Sequence, residues 1–301
     1  MSDEPVFAAD PYAPPSAEAF LHRRSSPVLR VPPPPKTGWA RWRVPVLLYL
    51  LTFLSTILFV GPVYSLAIMV ILTAHELGHF FQARRYHVPA SPPYFIPFPS
   101  LLGTMGAVIA MRSRVADRKA LFDIAVTGPL AGLVPTLVCC LVGIPLSTVA
   151  TVDSTRNMIE LGEPLIFTWL TNLLVGPVPD GQTLILHDLA YAGWAGLLVT
   201  GLNLIPIGQL DGGHLLYALL RRRSHPIALG LVGVAVTAIV MNWIYRWWAV
   251  MLVLLLVMGP LHPPTADDEV PLGWGRVVIG WLALAFVVIG FMPRPIIRLP
   301  F

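Results

Sequence analysis

The chain has 301 residues, of which 55% are hydrophobic and only 12% are charged, and its mean hydropathy is +0.71. Soluble domains are close to half apolar and a quarter charged, so this composition excludes an ordinary soluble domain and predicts an integral membrane protein. The net charge of +4 is less informative about membrane topology than the positions of the charges. The two cysteines, Cys139 and Cys140, are adjacent, which excludes an ordinary structural disulfide between them.

The first 43 residues are rich in proline and show no apolar periodicity. They contain nine prolines, including the run Pro32–Pro35, which is typical of disordered, partly extended chain. No short apolar core of a cleavable signal peptide stands near the start. We predict three parts: a disordered cytoplasmic tail over 1–43, a membrane-embedded core over 44–222, and additional transmembrane helices over 223–301.

Seven apolar stretches follow the tail. A helix needs about 20 apolar residues to cross a bilayer, and lipid leaves the backbone no partners outside a helix. The predicted spans are 44–60, 66–83, 124–149, 189–207, 227–241, 248–258 and 277–291, with an outside loop over 150–188. With the N-terminus in the cytoplasm, 16 of the 20 Lys and Arg residues lie inside, as the positive-inside rule requires. The expected fold is therefore an all-α polytopic membrane protein with about seven (six to eight) transmembrane helices.

The stretch between the second and third spans has a different character. Residues 92–114 are apolar, but four prolines and two glycines interrupt them. Such a segment is too hydrophobic for a cytosolic loop and too broken for a helix. We predict a re-entrant β-hairpin-like segment near the active site, because irregular backbone is tolerated in a membrane only where protein or a cavity covers it. A loop that merely plugs the fold is the alternative.

The second span carries the pattern H-E-x-x-H at His75, Glu76 and His79. Residues four apart share one face of a helix, so both imidazoles can bind one metal ion, and the glutamate beside them can act as a general base on water. Two buried core histidines that bond to neighbouring helices are the alternative. That alternative leaves the cost of placing three polar groups in lipid without a purpose.

A catalytic zinc usually has three protein ligands, so a third must come from elsewhere. Asp211, in the stretch 203–214, is the inner acidic candidate. Counting at 1.5 Å per residue, His75 lies about 14 Å before Arg84, and Asp211 lies about 15 Å before Arg221 if that stretch is helical. The two groups therefore match in depth. An N-cap role for Asp211 is the alternative, because Gly212 and a new apolar run follow it.

These residues resemble the site-2 protease family of membrane-embedded zinc metalloproteases. The resemblance rests on His75-Glu76-x-x-His79, the elements 103–109 (GTMGAVI) and 128–132 (GPLAG), and Asn203-x-x-Pro206-x-x-x-Leu210-Asp211-Gly212. It covers about residues 45–222 and is similar to the branch with plant chloroplast members and bacterial relatives. The resemblance implies Zn²⁺ bound by His75, His79 and Asp211. It further implies Glu76 as the catalytic base and Asn203 as a catalytic residue that holds the substrate backbone or the developing oxyanion.

The resemblance also implies a function. It predicts intramembrane cleavage of transmembrane segments, in regulated intramembrane proteolysis, with transmembrane protein substrates and the lipid bilayer as partners and no nucleic-acid ligand. Strand addition of an unwound substrate to 103–110 would satisfy its backbone. The expected location is a bacterial inner membrane. Two alternatives stay open: an inactive membrane scaffold of the same fold, and a metal transporter.

Three further residues near the motifs receive structural predictions. Gly128 and Gly132 form a G-x-x-x-G pair, which predicts close helix packing near the site. His214 follows Asp211 by three residues, so it is either a packing or capping histidine or a partner that orients the metal site.

Overall fold

The structure is a computed structural model that describes residues 38–111, 116–151 and 159–298. Most of the predicted disordered tail, residues 1–37, lies outside the described residues. A 3-10 turn occupies Gly38–Arg41, and the first helix begins at Arg43. The described residues from Arg41 onward form one compact unit.

The described residues are mostly helical. The nine α-helices are α1 (Arg43–Phe59), α2 (Pro62–Arg85), α3 (Arg118–Leu146), α4 (Leu165–Leu174), α5 (Asp188–Asn203), α6 (Asp211–Leu220), α7 (Ser224–Met241), α8 (Ala249–Met258) and α9 (Trp274–Gly290). Six short strands pair in twos, all antiparallel: β1 (Tyr94–Pro97) with β2 (Thr104–Val108), β3 (Thr148–Thr151) with β5 (Gln182–Ile185), and β4 (Glu160–Leu161) with β6 (Ile296–Arg298).

Three helical segments are long and apolar enough to cross a membrane, judged by length and composition. They are Pro62–Arg85, Arg118–Leu146 and Asp211–Met241, the last of which joins α6 and α7 through a 3-10 turn. Four other apolar helices have 10 to 17 residues, so the count of seven spans stays a prediction. Several large apolar side chains on the helices are exposed: Leu58, Val240 and Val257 are 72 to 79% exposed, as residues facing lipid would be.

Some helix bounds in the structure differ from the predicted span bounds. The third span begins at Arg118 because the Asp117 carboxylate accepts a hydrogen bond from the Ala120 amide (2.7 Å) and caps the helix there. The helix at the fourth predicted span, α5, ends at Asn203, before a turn. The stretch 150–188, interpreted as an outside loop, contains α4 and two strands.

Helices α2, α3 and α5 pack against one another and form the centre of the fold. These helices correspond to the second, third and fourth predicted spans. Glycines bring the helices close: a Cβ on Gly143 would lie 2.1 Å from the amide nitrogen of Ala190, and one on Gly193 would lie 2.5 Å from Sγ of Cys140. Cys140 is fully buried at this contact, so its position is explained by packing.

Candidate metal centre

The H-E-x-x-H pattern lies in the second half of α2. The helix begins with Pro62 at its first turn, a position where the missing amide hydrogen costs nothing. His75 and Glu76 are 3% and 4% exposed. The helical spacing puts His75 and His79 side by side, and their Nε2 atoms are 3.1 Å apart, as residues four apart on a helix should be.

Asp211, the first residue of α6, completes a three-residue cluster with the histidines. Its Oδ2 lies 3.3 Å from Nε2 of His75, and its Oδ1 lies 3.3 Å from Nε2 of His79. One possible ligand atom from each residue can be chosen so that all three lie within 4.8 Å of one another. The structure thus brings together the three residues that the sequence selected; their role as ligands stays a prediction.

The donor atoms fit a zinc ion. In a tetrahedral site with metal–ligand distances of about 2.0–2.1 Å, neighbouring donors lie about 3.3 Å apart. The two imidazole nitrogens are 3.1 Å apart, and each lies 3.3 Å from a different oxygen of Asp211. Oδ2 of Asp211 is buried and accepts no hydrogen bond among the described residues. A buried carboxylate oxygen without a donor is costly, and a cation between these groups would remove that cost.

A backbone carbonyl orients the ring of His79. The Nδ1–H of His79 donates a hydrogen bond of 2.8 Å to the carbonyl oxygen of Ile124 on α3. A proton fixed on Nδ1 leaves the lone pair of Nε2 free for a metal. This partner could not be predicted from the sequence, because a backbone carbonyl has no residue signature.

Glycines on α3 make room for the two histidines. A Cβ on Gly128 would lie 2.0 Å from Nε2 of His79, and one on Gly132 would lie 2.9 Å from Cβ of His75. On the other side, a Cβ on Gly78 would lie 2.5 Å from the Thr127 carbonyl oxygen. The predicted close packing at the G-x-x-x-G pair is therefore confirmed. The imidazoles of His79 and His75 occupy the space that side chains at Gly128 and Gly132 would take.

The chain turns sharply before Asp211. The N-cap of α6 is Leu210, and Asp211 is the first helical residue without a capping bond, so the N-cap alternative for Asp211 is wrong. A Cβ on Gly212 would lie 1.9 Å from the carbonyl oxygen of Leu204, and one on Gly213 would lie 2.4 Å from that of Gly208. Both glycines are thus required for the turn to fold back onto the start of α6.

Glu76 and Asn203 both lie at the cluster. Glu76 is buried and interacts electrostatically with His75, His79 and Asp211. Asn203, the last residue of α5, places its Nδ2 3.3 Å from Nε2 of His75. An acid and an amide at a metal-ligand cluster are groups that can move a proton and donate a hydrogen bond.

The broken segment after α2 forms a β-hairpin. β1 and β2 pair in the register Tyr94↔Val108 and Phe95↔Ala107, with an irregularity before the pair Pro97↔Thr104. β1 packs on α1, where Phe95 meets Tyr49 edge to face at 4.9 Å, and β2 contacts α2. Within the described residues the second edge of β2 has no partner strand.

The side chain of His214 forms its hydrogen bond with His262 and not with His75, His79 or Asp211. Its Nδ1 lies 2.7 Å from Nε2 of His262, a residue in the segment between α8 and α9 that the sequence reasoning passed over. The only available signal was a histidine in a polar, proline-containing stretch (261–268), which is common in loops.

Comparisons with known proteins place these residues in a family context. Residues 63–242 match the family model "Peptidase family M50". The chain is 28% identical over 236 residues to "Probable zinc metalloprotease EGY2, chloroplastic" from Arabidopsis thaliana, an alignment that covers 77% of this chain and 41% of the relative. It is 30% identical over 240 residues to the protein of the same name from Oryza sativa subsp. indica, covering 78% and 43%.

A third relative is similar to the same extent. "Probable zinc metalloprotease EGY1, chloroplastic" from Arabidopsis thaliana is 30% identical over 237 residues, covering 74% of this chain and 41% of the relative. The chain thus spans about two fifths of the length of these relatives. No solved structure matches the chain.

Proposed function

Because the chain belongs to peptidase family M50, the site-2 protease family, we propose that it is a membrane-embedded zinc endopeptidase that hydrolyses peptide bonds in membrane-spanning segments of protein substrates. The observation that carries the proposal is the convergence of His75, His79 and Asp211, at 3.1 to 3.3 Å, beside a buried glutamate. Two histidines, one carboxylate and an adjacent acid are the parts of a hydrolytic zinc site.

Each residue has a distinct task in this proposal. His75, His79 and Asp211 hold Zn²⁺. When bound, zinc supplies Lewis acidity, which makes water a better nucleophile and polarises the scissile carbonyl. Glu76 takes the proton from the attacking water and returns it to the leaving amine. The side-chain amide of Asn203 donates a hydrogen bond to the substrate carbonyl as negative charge develops on its oxygen.

The hairpin supplies the binding element for an unwound substrate. A peptide bond within a helix is shielded, so the substrate must adopt an extended conformation at the site. The second edge of β2 offers backbone groups for one more strand, and strand addition satisfies the backbone of both partners. Met105 and Val108 on β2 are 45% and 53% exposed, which suits apolar substrate side chains. This hairpin is re-entrant in our proposal, because an edge that receives membrane-spanning segments must reach into the bilayer.

The topology and location follow the same proposal. The sequence supports seven spans with a cytoplasmic N-terminus, a metalloprotease core over 44–222 and additional helices over 223–301. The prediction of a bacterial inner membrane gains no support from the relatives, whose names place them in chloroplasts. The membrane itself is supported by the family and by three helical segments of spanning length. Regulated intramembrane proteolysis of membrane-tethered signalling proteins is the biological process that the resemblance suggests.

The two alternatives make different structural demands. A metal transporter needs successive ligand groups along a path across the membrane. Among the residues that the structure describes, His75, His79 and Asp211 are the one group of three such side chains, which suits a single site. An inactive scaffold has no need of an intact set of ligands and base.

One experiment tests the function. The purified protein is analysed for bound zinc and reconstituted with a set of single-span model membrane proteins, as wild type, Glu76→Gln and Asp211→Ala. We expect Glu76→Gln to keep zinc and lose cleavage, and Asp211→Ala to lose both. Equal cleavage by the wild type and Glu76→Gln would refute the base assignment. Absence of zinc from the wild type would favour the scaffold.

A further inference from the structure

The segment between α8 and α9 lies against the helix and turn that carry Asp211. We call residues 258–269 the strap. The strap lies outside residues 63–242, the range that the family model matches, so the family does not assign it a task. It contacts the chain on both sides of Asp211, and it also contacts the start of α3.

Before Asp211, the strap holds the turn through the backbone. The amide of Gly208 donates a hydrogen bond of 3.0 Å to the carbonyl oxygen of Pro260. The side-chain amide of Gln209 donates one of 3.2 Å to the carbonyl oxygen of Met258. The contact is tight, because a Cβ on Gly208 would lie 2.7 Å from the carbonyl oxygen of Gly259. The strap therefore fixes the turn two to three residues before the predicted ligand.

After Asp211, the strap holds α6 through His262. Nε2 of His262 and Nδ1 of His214 share a hydrogen bond of 2.7 Å, and the His262 ring stacks on Tyr217 with centroids 4.4 Å apart. His262 is 4% exposed. This burial, together with the neighbouring His214, lowers the pKa of His262 to about 3, so the imidazole stays neutral. Asp211 and His214 are three residues apart and thus neighbours on the surface of α6.

The far end of the strap is tied to α3. The amide of Ala266 donates to the carbonyl oxygen of Ala116 (2.9 Å), and the amide of Arg118 donates to that of Asp267 (3.0 Å). The hydroxyl of Tyr217 donates to Oδ2 of Asp268 (2.8 Å). Since α3 provides the glycines that receive His75 and His79, the strap links the helix that positions two ligands to the helix that carries the third.

We propose that His262 is a positioning residue that sets the place of Asp211 relative to the two histidines, by holding the first turn of α6 through His214. The inference rests on the proposed function, because it assumes that the cluster binds zinc. The alternative is that His262 only packs, since it is buried against Tyr217. The two differ in what a change at His262 does to the metal. Packing alone would lower the unfolding temperature and leave the zinc affinity of the folded protein unchanged.

The test compares His262→Leu with His262→Gln in the full chain. Leucine keeps apolar volume without the hydrogen bond, whereas glutamine keeps a nitrogen near the position of Nε2. The matched control is Glu269→Gln, at the outer end of the strap, where the side chain of Glu269 is 80% exposed and pairs with Arg221. Zinc affinity is measured by competition with a chelator, and the unfolding temperature is measured on the same samples.

We expect His262→Leu to weaken zinc binding about tenfold, the lower end of the effect of removing a partner that orients a metal site. His262→Gln should restore most of the affinity, Glu269→Gln should match the wild type, and the remaining cleavage by His262→Leu at saturating zinc should show a changed kcat with an unchanged KM. Wild-type zinc affinity in His262→Leu would overturn the inference, as would equal weakening by both variants.

If His262→Leu fails to fold, the variant Gly208→Ala provides a second test. Gly208→Ala pushes the strap away on the other side of Asp211, and it too should weaken zinc binding; unchanged affinity in a folded Gly208→Ala protein would overturn the inference. Zinc binding by the wild type distinguishes failure of the proposed function from failure of this inference. If the proposed function is wrong, the wild type itself binds no zinc, and the inference is then refuted as well.

Discussion

Gly128→Ala is the substitution that most directly tests how α3 shapes the metal centre. Its Cβ would lie 2.0 Å from Nε2 of His79, whereas ordinary contacts begin near 3.4 Å. The ring or the helix must therefore move by about 1.4 Å. The ring cannot swing freely, because its Nδ1–H is bonded to the carbonyl oxygen of Ile124 on the same helix. Metal sites tolerate changes of only about 0.2 Å in ligand distance, so the strain falls on zinc binding.

The size of the effect follows from the overlap. Forcing extra carbon into a well-packed site costs about 1–3 kcal/mol, which corresponds to about 5- to 150-fold in zinc affinity if the ligands carry the cost. Affinity is measured by chelator competition, and cleavage is measured at saturating zinc. Gly233→Ala on α7 is the matched control, because a Cβ there meets nothing within 4 Å. Wild-type affinity in a folded Gly128→Ala protein would refute the reasoning.

Two further predictions concern residues around the centre. Asn203→Ala should lower kcat by about 10²-fold, as loss of an oxyanion donor does, while zinc content stays at the wild-type level; an unchanged kcat would remove Asn203 from the chemistry. Arg276→Met breaks the paired bonds from Nε and Nη2 to the carboxylate of Asp123 (2.7 and 2.8 Å), which join α9 to α3. Because the side chain of Arg276 is 32% exposed, solvent screens the pair, and the loss of stability should be about 1–2 kcal/mol; thermal unfolding measures it, and an unchanged midpoint would contradict the prediction.

The residues of the candidate centre could be predicted from the sequence because their positions follow from the repeat and the rise of the α-helix. The spacing of His75 and His79 is one helical turn, and the structure shows both in α2. The depth count for Asp211 assumed a helix from Asp211 to Arg221, and α6 covers Asp211–Leu220. With both stretches helical and rising 1.5 Å per residue, equal counts to the basic ends of the helices give equal depth.

Contacts that do not follow from the geometry of a single helix could not be predicted in this way. The bond from His79 to the Ile124 carbonyl uses the backbone, and the His214–His262 pair joins residues 48 apart. Helix α4 was missed because its ten residues are too few for a span and lie between short strands. Hydropathy indicates which segments are apolar enough to lie in a membrane, whereas these features depend on which segments contact one another after folding.

The exposure of the cluster indicates the side from which water arrives. The side chains of His79 and Asp211 are 13% and 14% exposed, whereas His75 and Glu76 are 3% and 4% exposed. The proposed hydrolysis consumes water, and we expect water to reach Glu76 past the His79–Asp211 edge, which is the more exposed side of the cluster. This edge is also the one held by the strap and by the glycines of α3. The contacts that hold the three clustered residues thus border their more exposed side, whereas Glu76 lies on the buried side.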